Sequence, residues 1–259
     1  AEHSKVINTL VNAARNGKHV VALIELLARF DEEQNMDSVR TLQRAGVKVL
    51  NGIRDLKVHA KMALVERKEG HEHRGYAYIG TGNLNETTAR LYSDMGLFTS
   101  HPEIVNDARS IFSFLLNTHK HFTCKRLLAA PYYMRQYFTE LIEKEISNAK
   151  KGLPAYIHAK CNTLTDEKMI RHLYLASQAG VEVKMIVRGA CCLIPQLTGV
   201  SENIELISIV DRFLEHARLF IFCSGDIKKI YISRADWSAR NLHNRPEVAA
   251  PSLAENRTQ

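Results

Sequence analysis

Apolar residues fall at Val6, Ile7, Leu10, Val11 and Ala14, three or four positions apart, which is the spacing of a single buried helical face. Asn16-Gly17 stops that pattern, and the run over 20–24 (VVALI) reads as a strand. The same order returns over 166–188 (DEKMIRHLYLASQAGVEVKMIVR). There is a helix start at Asp166, then apolar Met169, Ile170, Leu173 and Leu175, a stop at Gly180, and a strand over 181–187. Each strand delivers an arginine at or just past its end, Arg29 in the first case and Arg188 in the second.

Further along, the first copy predicts a helix over 37–44 and a strand over 47–50 ahead of LKVHAKMALVE. The second predicts a strand over 203–210 ahead of FLEHARLFIF. His59-Ala60-Lys61 thereby aligns with His216-Ala217-Arg218, each opening an apolar strand. Each strand leads through a turn to another, 76–83 (YAYIGTGN) and 229–236 (KIYISRAD). The pattern is a duplicated α/β unit. A strand over 155–160 (AYIHAK) stands in front of the second copy alone. Symmetry predicts an equivalent ahead of Ala1, and with it a chain that is a fragment. Helices are predicted over 102–117 and from Pro131 to Lys150, with an irregular basic stretch through Lys120, Lys125 and Arg126 between them. The domain boundary is placed near 130, giving units 1–130 and 131–259.

At 259 residues and 45% hydrophobic, the chain can bury the core of one or two domains. No apolar run approaches the roughly 18 to 20 residues of a membrane-spanning helix, and the first residues carry no signal-peptide pattern. The expectation is a protein without a transmembrane segment, in the cytoplasm. Five cysteines without CxxC spacing suggest neither a disulfide framework nor a zinc site. His71-Glu72-His73 and His119-Lys120-His121 read as solvated loop histidines, and the Glu140, Glu143, Lys144, Glu145 cluster as a solvated helix face. A net charge of +7 suits an anionic partner: nucleic acid, a membrane surface, or a phosphorylated molecule or polymer. Sparse aromatic interleaving disfavours nucleic acid.

A histidine and a basic residue two apart on a strand share a face. Neutral imidazole can attack phosphorus while the Lys61 ammonium offsets charge on the equatorial oxygens, and Gly80-Thr81-Gly82-Asn83 offers hydroxyl, amide and backbone donors to the same group. Two such units face to face would supply one histidine as nucleophile and the other as general acid or base.

His-x-Lys followed by Gly-Thr-x-Asn, in duplicate, resembles the phospholipase D superfamily. More narrowly, six segments resemble, in order, the C-terminal catalytic domains of bacterial polyphosphate kinases. They are ELLARFDEE (25–33), LKVHAK (56–61), YIGTGNLNETTARLYSD (78–94), IVRGACCLIP (186–195), SIVDRFLEHAR (208–218) and YISRADWSARN (231–241). The resemblance implies two tandem phospholipase D-like α/β/α domains with mixed β-sheets. It makes His59 the phosphohistidine intermediate and His216 its partner across the transferred phosphate. Arg29 and Arg188 become phosphate clamps, Arg29 also at a magnesium-associated position. Tyr92 and Arg188 match nucleotide contacts, and Asp94 an acid beside the active histidine. With Lys61 as a catalytic group and Asn83 and Arg218 as substrate contacts, the implied reaction is reversible transfer of the ATP γ-phosphate to polyphosphate, with Mg2+ as cofactor. The implied assembly is a homo-oligomer, without nucleic acid.

The pattern also departs from the superfamily. Seven residues past the two histidines stand Glu66 and Cys223 rather than aspartates, which argues against phosphodiester hydrolysis. Arg218 replaces lysine, and Ala235-Asp236 replace the Gly82-Asn83 of the first copy, so the halves have diverged and His59 is the better nucleophile. A phospholipase D-like phosphodiesterase or nuclease, favoured by Glu66 and the basic charge, and a non-catalytic polyphosphate-binding fragment remain as alternatives.

Overall fold

A computed structural model describes residues 4–25, 32–52, 57–119, 121–225 and 228–253. The first copy runs α1 (Lys5–Arg15), β1 (Val21–Ile24), α2 (Glu32–Arg44), β2 (Lys48–Asn51), β3 (Lys61–Glu69), β4 (Glu72–Gly80), α3 (Glu86–Ala89), β5 (Tyr92–Ser93), β6 (Gly96–Thr99) and α4 (Pro102–Leu116). The second runs β7 (Leu128–Ala130), α5 (Met134–Lys150), β8 (Tyr156–Cys161), α6 (Glu167–Gln178), β9 (Glu182–Val187), β10 (Ile204–Ile207), β11 (Leu214–Glu215), β12 (Arg218–Phe222), β13 (Lys229–Ser233), α7 (Ala239–Asn244) and β14 (Glu247–Pro251). The repeat extends to the caps. Ser4 accepts from the Ile7 amide at the start of α1 and Asp166 from the Met169 amide at the start of α6, each satisfying an N–H that has no partner inside the helix.

The second copy builds a seven-stranded sheet in the order β10-β9-β8-β12-β13-β14-β7, parallel among β10, β9 and β8 and antiparallel beyond. Here β8 joins the parallel pair to the antiparallel set. The first copy has no counterpart of β8 among the described residues. Its strands other than β5 accordingly form two sheets, parallel β1-β2 and antiparallel β3-β4-β6, while β5 pairs with β11 of the second copy. Strand β7, on the first side of the expected boundary at 130, pairs with β14 and closes the far edge of the second sheet.

One large core lies beneath the second sheet, where Trp237 stacks on Phe220 at 4.8 Å between ring centroids and Phe138 packs against both. A second cluster draws on both copies: Ile104, Ala108 and Ile79 of the first meet Leu127, Val248 and Ala250 of the second. This shared apolar layer fixes the two copies against each other. On α5 the acidic cluster is not wholly solvated. Glu145 is fully buried, because its spacing places it on the same face as Phe138, Leu141 and Ile142, and it accepts a 2.6 Å hydrogen bond from the Ser224 amide.

Candidate active site

Both histidines sit in the segments just ahead of strands, His59 before β3 and His216 before β12. Backbone bonds between the copies hold them there. The Ala60 amide donates to the Pro246 carbonyl, and the Ala217 amide to the Ser93 carbonyl, the same contact made once in each direction. Short β5 and β11 pair in parallel alongside. The basic residue two beyond each histidine turns back onto it: Lys61 Nζ donates to the His59 carbonyl at 3.0 Å, and Arg218 Nη1 to the His216 carbonyl at 2.7 Å.

The carboxylates are crossed between copies. His216 Nδ1 lies 2.8 and 3.0 Å from the two oxygens of Asp94, which belongs to the first copy. His59 Nδ1 lies 2.6 Å from Oε1 of Glu247, which belongs to the second. Asp94 therefore stands beside His216, and the acid beside His59 is Glu247, which the sequence reading passed over. A signal was available: Asp94 follows Asn83 by eleven positions, and Glu247 follows the aligned Asp236 by the same eleven. Each carboxylate has its own support. Thr81 Oγ1 donates to Asp94 at 2.7 Å, so the hydroxyl expected to serve substrate instead fixes this acid. Asn241 Nδ2 donates to Glu247, and Asn241 is held by Ser238.

Arg234 is the other residue the sequence reading missed. It aligns with Thr81, and its guanidinium lies between the histidines, with Nε donating to His59 Nε2 at 3.2 Å and Nη1 donating to the Thr81 carbonyl at 2.8 Å. Burial, then the charges of Arg234, Lys61, Arg245 and Arg218, push the His59 pKa far below its usual 6.5. The 2.6 Å contact with Glu247 is thus a hydrogen bond from a neutral ring rather than an ion pair, since four cations oppose a fifth charge there. Nδ1 carries the hydrogen and Nε2 the lone pair. Burial raises Glu247 to about 7, and lowers Lys61 to about 8 with help from Arg234. His216 is lowered by burial against the opposing pull of Asp94. Burial raises Asp94, but hydrogen bonds from His216 and Thr81 outweigh it and hold the group below its usual value.

The other expected residues surround this centre. The Tyr92 ring packs against His216, centroids 4.9 Å apart. Arg188 Nε donates to Asn162 Oδ1 at 3.0 Å, and Asn162 Nδ2 lies 3.4 Å from the His216 carbonyl. Arg218 pairs with Asp236. Asn83 is exposed just past the end of β4, and Arg29 lies outside the described residues. Glu66 is remote from the histidines, paired with Arg109 of α4. Among the described residues no cluster of three His, Cys, Asp or Glu side chains could hold a metal ion, and none of the helices is long and apolar enough to cross a membrane.

Gly82 marks how tightly the acid is placed. A Cβ there would lie 2.3 Å from Asp94 Oδ2, so Gly82→Ala must displace the carboxylate that orients His216. Turnover should fall by about a hundredfold, as for other ångström-scale misplacements, without loss of fold. Steady-state kinetics beside a thermal melt would check it.

The model for polyphosphate kinase C-terminal domain 1 matches residues 1–121, and that for C-terminal domain 2 matches residues 127–259. Polyphosphate kinases of Salmonella typhimurium and Escherichia coli K12 are each 47% identical over 253 residues, covering 98% of this chain and 37% of the relative. The chain thus spans little more than a third of the length of these relatives. The crystal structure of polyphosphate kinase from Porphyromonas gingivalis superposes with a TM-score of 0.88 at 43% identity, covering 98% of this chain and 39% of that one. Phosphatidylserine synthase from Haemophilus influenzae (TM-score 0.55, 9% identity) covers 96% of this chain and 80% of its own, and shares the fold alone.

Proposed function

The chain belongs to the polyphosphate kinase family, and on that footing we propose that it is the phosphotransfer region of an enzyme moving the ATP γ-phosphate reversibly to polyphosphate through a phosphohistidine at His59. The observation that carries this reading is the pair of imidazoles, His216 buried and His59 half-buried, each tied at Nδ1 to a carboxylate from the opposite copy, inside a ring of cations. That arrangement leaves His59 Nε2 as the nucleophile. As the Nε2–P bond forms, the P–O bond to the β-phosphate breaks and its electron pair leaves with ADP. Glu247 meets the positive charge that the imidazole acquires. In the second half, a terminal oxygen of the polyphosphate attacks phosphorus and His59 departs. His216, oriented by Asp94, exchanges a proton with the leaving or entering oxygen. Lys61 and Arg188 neutralise phosphate charge, which dominates the energetics of phosphoryl transfer. The unit is a domain pair of a longer, homo-oligomeric cytoplasmic enzyme on this reading, with the boundary between its domains close to 130.

Magnesium suits this chemistry as a charge-neutralising ion carried by ATP, usually held by one or two carboxylates plus the phosphates. Glu25, at the end of β1 and electrostatically coupled to Lys61 and Arg245, has a buried Oε2 with no hydrogen-bond partner among the described residues, and is a carboxylate available to it. Its donor chemistry fits; Arg29, at the magnesium-associated position, would act through the phosphates that the ion neutralises, since a guanidinium has no lone pair to donate.

The test is ATP formation from ADP and long-chain polyphosphate, together with the reverse transfer from γ-labelled ATP, in the protein at its natural length. Both should proceed, and hydrolysis of bis-nitrophenyl phosphate should not. Hydrolysis of the diester without transfer would establish a phosphodiesterase in place of this reading.

A further inference from the structure

Buried arginines usually find carboxylates, and Arg218 does: at 4% exposure it lies 3.1 and 3.2 Å from the two oxygens of Asp236. Arg234, 7% exposed, has no carboxylate within 4.0 Å among the described residues. Its contacts are two neutral acceptors, His59 Nε2 and the Thr81 carbonyl, and Nη1 stands 3.4 Å from His216 Nδ1. No acceptor among the described residues meets Nη2. A guanidinium withdrawn from water with no carboxylate in contact, only the more distant charges of Glu247, Asp94 and Asp236, is incompletely compensated, and an anion entering between the histidines would relieve that cost.

Its place is also chemically specific. The lone pair on His59 Nε2 cannot accept a hydrogen bond from Arg234 and attack phosphorus at once. The bond must be surrendered as reaction begins, and the nearest new acceptor is an oxygen on the attacked phosphorus. Because Arg234 stands where the first copy has Thr81, only one histidine of the pair has a cation at Nε2 among the described residues, which distinguishes His59 from His216.

We propose that Arg234 is a catalytic residue: it caps His59 Nε2 in the resting site and, as the Nε2–P bond forms and the bond to the leaving oxygen breaks, passes its hydrogen bond to an equatorial oxygen of the transferred group. No proton leaves Arg234 in this step, and the electron pair departs with the leaving oxygen. The assignment rests on the phosphotransferase reading above. A guanidinium placed this way also holds the imidazole neutral, together with Lys61 on β3, Arg218 on β12 and Arg245 just before β14, with Glu247 on β14 the carboxylate in contact with the ring.

Two readouts on Arg234→Gln, in the protein at its natural length, test it. Rapid-quench labelling of His59 from γ-labelled ATP should slow by about a hundredfold, the loss seen when one preorganised donor to a developing charge is removed, while equilibrium binding of ADP stays unchanged. Nitrogen NMR of the imidazole should show the His59 titration midpoint moving upward, a change that a merely structural arginine would not produce. Labelling at the wild-type rate, or an unmoved His59 signal in folded R234Q, overturns the assignment. Should R234Q not fold, Arg234→Lys takes its place: the single ammonium cannot serve the Thr81 carbonyl and a phosphoryl oxygen together, so labelling should slow by about tenfold, and a wild-type rate overturns the proposal. A wild-type protein that takes no label at all overturns the phosphotransferase reading, a result distinct from equal labelling of wild type and variant, which overturns the role of Arg234 alone.

Discussion

After incubation with γ-labelled ATP and magnesium, His59→Ala will carry no acid-labile, base-stable phosphate, and transfer to polyphosphate will fall by at least about 10⁴-fold, to the level left when a covalent nucleophile is removed from an otherwise intact site. The reason is geometric as well as chemical. Of the two imidazoles, His59 alone has, among the described residues, Nδ1 fixed by a buried carboxylate and Nε2 capped by a cation. Neither Lys61 nor Arg234 can replace it, since Lys61 donates to the His59 carbonyl and Arg234 is a guanidinium. His216→Ala should behave differently. Phosphate should still appear on His59 but turn over slowly, because the nucleophile is intact and only the proton partner is lost. Phosphohistidine mass spectrometry of the three proteins checks both statements. Label on His216 in the His59 variant would reverse the assignment.

Glu247→Gln should cost between about 10² and 10⁴ in phosphohistidine formation, the range spanned by second-layer ligand partners and by orienting carboxylates in histidine catalysis. The amide can still accept from Nδ1 but cannot meet the charge that develops on the ring. The pH profile separates this from a structural effect. Glu247 titrates near 7, raised from 4.5 by burial, so the wild-type rate should fall as pH drops through about 7 and the carboxylate takes a proton. That limb should vanish in E247Q. A limb that persists would belong to another group and remove Glu247 from the mechanism. Stability runs in the other direction. A carboxylate whose folded pKa exceeds its unfolded one contributes stability below the unfolded value and loses it as pH rises through the folded value. Above pH 7 the Gln variant should accordingly melt no lower than wild type, so a loss of rate there is not a loss of fold.

Much of this was legible in the chain itself. Helical spacing at Val6 to Ala14 and at Met169 to Leu175, the stops at Gly17 and Gly180, and the apolar runs after them are local properties, set by which face of a single element must be buried. The duplication, the two histidines and their basic neighbours follow from comparing one local pattern with another. Tyr92 and Asp94 came from family resemblance rather than from pattern; that route set Asp94 beside the active histidine, whereas the structure sets it against His216 and sets Glu247 against His59.

What the sequence could not determine is the pairing between copies. Asp94 and His216 are separated by 122 positions and Glu247 and His59 by 188, and nothing local to either residue records that the carboxylates cross. Crossing arises because the shared apolar layer of Ile104, Ile79, Val248 and Ala250 clamps the copies together and brings Ser93 to Ala217 and Pro246 to Ala60. The same packing places Arg234, which in the sequence is one more basic residue at a strand end, between two imidazoles, with no carboxylate within 4.0 Å among the described residues. The elements and the candidate nucleophile were fixed by short-range periodicity, but the charge state of that nucleophile was decided only by folding, because burial and the assembled charges, not residue type, set which form of an imidazole is stable.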